Sequence, residues 1–253
     1  MNTKERVGPF FKQFGSKWSA AKLYPEPEWS SIIEPFAGGA GYACLYPTKN
    51  VVLYDTDENL SALWRWLIKE ATPGLIRAIP LHTQEGTDIR TMNLLPGQQL
   101  LLKHWQRTNN VGNCWTISAW GNMPGQFTES TRSRLADQIG AIKHWSFAQP
   151  DYSKSATWFF DPPYQSNYAY RQPLIDFSAL AILVKSLYGQ VIVCEGGESP
   201  NWLPFKPLAT RVTSRRTASN NHHCKEWIWT SSRVALTLKK HAPNQPTTHR
   251  KTT

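Results

Sequence analysis

Residues 30–41 read SSIIEPFAGGAG, in which a short apolar run around Ile32-Ile33 stops at Glu34-Pro35 and gives way to a glycine-rich stretch. An apolar run closed by proline and followed by glycines reads as a buried strand that ends in a tight loop. Tyr42–Tyr46 then reads as the start of a helix, so the unit is strand, glycine loop, helix. Val51–Tyr54 is a second β-rich run, ending on Asp55. Glu58–Glu70 carries Leu60, Leu63, Trp64, Leu67 and Ile68 at helical spacing. This βαβα opening predicts an α/β fold built on a Rossmann-like sheet with helices on both faces. Glycines let the backbone pass close under a ligand, and a following helix N-terminus favours an anionic group such as a carboxylate. The loop does not match G-x-G-x-x-G, which disfavours a dinucleotide, and a plain tight turn is the simpler alternative.

From about Ala71 to Gln149 the alternation is interrupted. Residues 98–108 and 132–145 read as helices around a segment rich in Gly, Asn, Pro and aromatics, as in an insertion. The α/β pattern resumes with a strand at Thr157–Phe160, a helix at Asp176–Leu187 and a strand at Gln190–Cys194, followed by a turn at Glu195-Gly196-Gly197. Residues 209–218 and 225–231 read as an antiparallel hairpin, and 239–253 as a basic, disordered tail.

The resumed strand ends in WFFDPPYQSN, residues 158–167. Proline has no N–H to donate and holds its predecessor extended, so the chain must leave the sheet with Asp161 at its tip. A stiff turn is the plain reading. The sharper one is a rigid clamp at the C-terminal edge of the sheet, where α/β proteins place their ligands. As a sheet-edge residue, Asp161 is expected to be dispensable for folding.

The chain has 253 residues, enough for one α/β domain with a substantial insertion, and its formal net charge of +10 suits a polyanionic partner such as nucleic acid. Twelve Trp, ten Phe and nine Tyr supply a core and also faces on which bases could stack. No apolar run is long enough to span a bilayer and the N-terminus lacks a secretory segment, so a soluble, cytoplasmic protein is expected. The four cysteines, Cys44, Cys114, Cys194 and Cys224, form no C-x-x-C pair, which predicts reduced thiols and no metal site. Asp55, at the end of the second strand, is placed to accept hydrogen bonds from ribose hydroxyls. A loop for a carboxylate, an acid for a ribose and a clamp without phosphate chemistry together suggest S-adenosylmethionine.

Taken in order, EPFAGGAG, YDTDEN and DPPY, with KQFGSK at residues 12–17, resemble the Dam-like, alpha-group adenine-N6 DNA methyltransferases over most of the chain. The resemblance implies a methyltransferase domain from residues 1–70 and 150–238, interrupted by a mostly helical target-recognition region at 71–149. It implies double-stranded DNA as the partner, with no membrane and no obligate protein partner. Asp161, Pro162, Pro163 and Tyr164 would be catalytic. Asp161 and the Pro162 carbonyl would accept the two hydrogens of a flipped-out base's amino group, while Tyr164 offers a ring face. The cofactor would lie against Gln13, Phe14, Lys17, Glu34, Pro35, Phe36, Gly38, Gly39, Gly41, Asp55, Asp151, Tyr152 and Asp161. Gln13 and Phe14 depart from the family's Trp and small residue there. DNA contacts would come from Lys103, Arg107, Trp120, Asn122, Arg132, Arg134 and Asn220, with Lys143, Trp105 and Trp115 as further phosphate or stacking candidates. Residues 120–127 occupy the place of the recognition hairpin without matching residues that read GATC. Cytosine-N4 methylation presents the same amino-group problem and is the nearest alternative. An RNA substrate and a non-catalytic DNA-binding descendant follow it.

Overall fold

The structure, a computed structural model, describes residues 6–11, 13, 16–105, 115–117, 127–165, 175–197, 200–208 and 225–234. Ile32 and Ile33 sit side by side on the first strand and serve opposite faces, and the sheet repeats that alternation throughout. Its strands are β1 (Ser31–Glu34), β2 (Asn50–Leu53), β3 (Ser146–Phe147), β4 (Ala156–Phe160), β5 (Gly189–Gly196), β6 (Lys206–Pro207) and β7 (Glu226–Arg233). They form one seven-stranded sheet in the order β3-β2-β1-β4-β5-β7-β6. β1 pairs in parallel with β2 and β4, as do β2 with β3 and β4 with β5, whereas β7 runs antiparallel to β5 and β6. The fold is therefore mixed α/β with a mostly parallel sheet.

Five α-helices are described: α1 (Glu58–Lys69), α2 (Pro73–Arg77), α3 (Pro96–Trp105), α4 (Glu129–Gln138) and α5 (Phe177–Ser186). One sheet face, carrying Ile32, Val51, Leu53, Phe159 and Ile192, packs on the apolar sides of α1, α3 and α4 and on Phe10 and Phe11. The other, carrying Ile33, Trp158, Phe160, Val191 and Val193, packs on Leu180, Ala181 and Val184 of α5. Burial on both faces explains why β4 and β5 are apolar with little interruption. Asp57 starts α1 by accepting from the N–H groups of Asn59 and Leu60, and Lys143 ends it by donating to the Leu67 carbonyl at 2.8 Å.

The described residues of the 71–149 segment pack into the same core as the first third of the chain. Leu101, Trp105, Leu135, Ile142 and Trp145 join the cluster of Trp64 and Tyr42, and β3 is a strand of the central sheet. Two indole N–H groups fasten it, Trp105 to the Phe10 carbonyl at 2.8 Å and Trp145 to the Pro47 carbonyl at 3.0 Å.

Three local expectations are corrected. The helix expected after the glycine loop is only a 3-10 turn, Ala43–Leu45, because Pro47 forces Tyr46 out of helical geometry (φ −128°, ψ 53°). The helix expected over 132–145 begins earlier, at the Thr128 cap, and tightens into a 3-10 turn from Ile139. Glu195 and Gly196 extend β5, since β7 pairs with them, and the turn is left to Gly197 at φ 96°. Residues 209–218, 239–253, Cys114 and Cys224 lie outside the described residues. Cys44 and Cys194 are buried free thiols. Among the described residues no helix is long and apolar enough to cross a membrane.

Gly189 begins β5 at φ 96°, and a Cβ there would stand 2.0 Å from the Ala156 carbonyl oxygen. Gly189→Ala should therefore cost at least about 2 kcal/mol in urea unfolding, since backbone strain and a backbone clash add. Gly140→Ala, with nothing within 4 Å of the new Cβ, should leave the midpoint nearly unchanged.

Candidate active site

β1 and β4 are neighbours, and from them the chain runs outward in opposite directions. The carboxyl ends of two such strands border the crevice in which open α/β sheets bind ligands. The glycine loop leaves β1 at this point, and Asp161-Pro162-Pro163-Tyr164 leaves β4.

The loop is held from three sides. Gly38 adopts φ 46°, with its N–H given to Asp55 Oδ2 at 2.9 Å and its carbonyl taking the Trp64 indole N–H at 2.8 Å. Asp55 Oδ1 accepts from the Asp57 N–H at 2.9 Å, so one carboxylate ties the loop, the end of β2 and the start of α1 together. Gln13 and Ser16 lie over Gly38 and Gly39. Gly41 passes beneath the N-terminal segment so closely that a Cβ would stand 2.6 Å from the Trp18 backbone nitrogen. That close approach explains the last glycine of the loop. Pro35 is buried, and Phe36 is half-buried beside Phe160 at a ring separation of 6.3 Å.

The same close approach delivers Lys17 to the clamp. Its ammonium lies 2.8 Å from Asp161 Oδ1, with the two side chains 6% and 19% exposed, and 4.6 Å from the centre of the Tyr164 ring. Burial works against the lysine's charge, but the Asp161 carboxylate, aided by Glu226, raises its pKa above the ordinary lysine value. Burial also pushes the Asp161 carboxyl upward, opposed by Lys17. Asp161 Oδ1 is buried and takes no hydrogen bond of good geometry, so the contact is an ion pair.

Other carboxylates complete this edge. Glu34, at the end of β1, is buried and accepts the Ala43 N–H at 2.7 Å, and burial pushes its pKa up to about 8. Glu195, fully buried on β5, accepts the N–H of Gln165 at 3.2 Å, that of Gly196 at 3.0 Å and the Trp202 indole at 2.7 Å. Glu226 on β7 accepts the Tyr164 hydroxyl at 2.9 Å.

The structure thus brings Gln13, Lys17, Glu34, Pro35, Phe36, Gly38, Gly39, Gly41, Asp55, Asp161, Pro162, Pro163 and Tyr164 to one region of the C-terminal edge. Asp151 and Tyr152 make contacts of their own. Asp151 closes its own turn by accepting from the Ser153 N–H and hydroxyl, and Tyr152 stacks on Trp158 at 5.5 Å.

The described basic residues expected on DNA also have partners within the chain. Lys103 is buried with its ammonium 4.3 Å from the Trp115 ring, and Arg132 joins α4 to the Ile79 carbonyl and to Glu129. Arg134 donates to the Pro9 carbonyl at 3.1 Å, lies against Gly8, and has its pKa lowered by burial. Lys143 caps α1, and Trp105 is buried. Phe14, Arg107, Trp120, Asn122 and Asn220 lie outside the described residues.

Sequence reasoning missed the Lys17–Asp161 pair, Glu195, Gly196 and Glu226, whose partners are remote in the chain. The expectation that Asp161 is dispensable for folding is corrected too, because its loss strands a buried ammonium. Asp161→Ala should cost about 3 kcal/mol. Adding Lys17→Met should recover most of that loss, a coupling that thermal unfolding of the four variants would read.

The pH dependence of Glu34 has a definite sign. Its folded pKa is raised from 4.5 to about 8, so its contribution to stability is complete below pH 4.5 and is lost as pH rises toward 8. Glu34→Gln, which keeps an acceptor for Ala43, should reduce the fall in urea midpoint across that window.

Compared with known proteins, the sequence matches no family model and no curated protein is significantly similar to it.

Proposed function

We propose that the chain is a DNA methyltransferase that moves a methyl group from S-adenosylmethionine to the exocyclic N6 of a flipped-out adenine. The observation that carries this reading is Lys17. Its ammonium, a nitrogen bearing hydrogens, rests against the Asp161 carboxylate and near the Tyr164 ring, and an aryl amino group would need the same two contacts. A site that can hold such a nitrogen between an acceptor and an aromatic face suits an amino-bearing base.

The residues at the crevice fit the cofactor. Four acidic side chains, Glu34, Asp55, Asp161 and Glu195, stand at or just beyond the ends of β1, β2, β4 and β5, and burial raises the pKa of each. Such an edge offers carboxyl groups to a ligand that brings hydrogen-bond donors. Asp55 accepts the Gly38 N–H on Oδ2 and the Asp57 N–H on Oδ1, and a carboxylate oxygen can accept more than one hydrogen bond, as a ribose hydroxyl would require. The Pro35–Gly41 loop would hold the methionine end. When bound, S-adenosylmethionine supplies an electrophilic methyl group on a sulfonium.

The chain's own part is to prepare the amine. An exocyclic amino nitrogen is a poor nucleophile because its lone pair is conjugated into the ring. Asp161 and the Pro162 carbonyl accept its two hydrogens and draw it toward tetrahedral geometry. Two prolines fix the direction of that carbonyl. The nitrogen must shed a proton on transfer, and the Asp161 carboxyl, pushed upward by burial, is placed to take it. The net charge of +10 favours a polyanionic substrate.

Purified protein incubated with unmethylated double-stranded DNA and labelled S-adenosylmethionine should yield labelled N6-methyladenine after digestion to nucleosides. Asp161→Asn should lower the rate at least about 100-fold. Label on N4-methylcytosine would move the target base, and unlabelled DNA would overturn the reading.

A further inference from the structure

Tyr164 is seated by two neighbouring positions of the antiparallel β5–β7 ladder. Gly196 and Glu226 are partners in that ladder. Gly196 supplies a hole, since a Cβ there would stand 2.3 Å from Cδ2 and Cε2 of the Tyr164 ring. Glu226 supplies an acceptor, its Oε2 taking the Tyr164 hydroxyl at 2.9 Å. The next residue is fixed from the same strand, because Glu195 accepts the Gln165 N–H at 3.2 Å and is itself anchored by the Trp202 indole.

The arrangement reaches beyond what folding needs. Tyr164 follows two prolines and is half-buried at the edge of the sheet, where a ring could turn toward solvent. The glycine fixes how closely the ring approaches β5, and the carboxylate fixes the direction of its hydroxyl. Together they set the plane of the ring, and with it the face near which the Lys17 ammonium lies at 4.6 Å.

We infer that Glu226 is a positioning residue, which acts with the space left by Gly196 to hold the Tyr164 ring in the plane required by a flat amino-bearing substrate. The inference rests on the methyltransferase reading. Orientation of a stacking ring controls how productively the base is held, and misplacement by about 1 Å can cost on the order of 100-fold in rate. The loop after β1 and Asp55, which would hold the methionine end and the ribose, involve neither residue.

The test compares methyl transfer to unmethylated genomic DNA by the wild type, Glu226→Ala, Glu226→Gln and Gly196→Ala, alone and combined with Tyr164→Ala. Glu226→Ala and Gly196→Ala should each lower kcat about 10- to 100-fold. Both should leave the Kd for S-adenosylmethionine unchanged by calorimetry, and Glu226→Gln, which keeps an acceptor oxygen, should restore most of the rate. In the Tyr164→Ala background neither substitution should lower the residual rate further, since the ring they hold is gone. An undiminished kcat in Glu226→Ala, or equal further losses without Tyr164, would overturn the positioning role while leaving the methyltransferase reading intact. A wild type that binds no S-adenosylmethionine and labels no DNA would remove that reading and this inference with it, and the two failures are told apart before any variant is made.

Discussion

A lysine ammonium and an aspartate carboxylate, both largely withdrawn from water and 2.8 Å apart, bind the N-terminal segment to the end of β4. Each charge alone would be expensive to bury, so the positions of Lys17 and Asp161 specify one another. That mutual dependence fixes more than the pair. Lys17 reaches the clamp only because its backbone lies on Gly41, and Gly41 lies there only because Gly38 is gripped by Asp55 and Trp64. The glycine loop, the N-terminal segment and the DPPY turn are thus one mechanical unit whose parts come from three separate stretches of sequence.

The acidic residues at the strand ends follow from the same constraint. Parallel strands bring their carboxyl ends to one edge, and this chain places Glu34, Asp55, Asp161 and Glu195 on or next to it. Burial raises the pKa of each, so a bare carboxylate there would be costly. Each is instead met by N–H groups or, for Asp161, by an ammonium. These carboxyl groups therefore hold the loops in place.

Much of this was legible in the sequence, and the limits have physical causes. Ile32-Ile33, Val51-Val52 and Trp158–Phe160 announced parallel strands because a sheet covered on both faces needs uninterrupted apolar runs. Leu60, Leu63, Trp64 and Leu67 announced α1 by their spacing. The glycine loop and DPPY were visible because glycine and proline act on the local backbone. The helix expected after the loop stops at one turn because Pro47 bars its predecessor, Tyr46, from helical geometry. Glu226 and Gly196 were invisible as partners of Tyr164, since only the register of β7 against β5 brings them together, and no local pattern records that register.

The basic residues show the same limit from the opposite side. Lys103, Arg132, Arg134 and Lys143 look in sequence like a face offered to phosphates. A long cationic side chain can equally lay its stem on apolar surface and spend its charge on carbonyls. Here Arg132 and Arg134 bind α4 to the Ile79 carbonyl and to the N-terminal segment, and Lys143 closes the end of α1. Hydrogen bonds to neutral carbonyls fix where each cation sits and leave its charge in place. For the proposed DNA substrate, attraction would come from the excess of positive charge over the whole chain, +10, and the chemistry from the carboxyl groups at the strand ends.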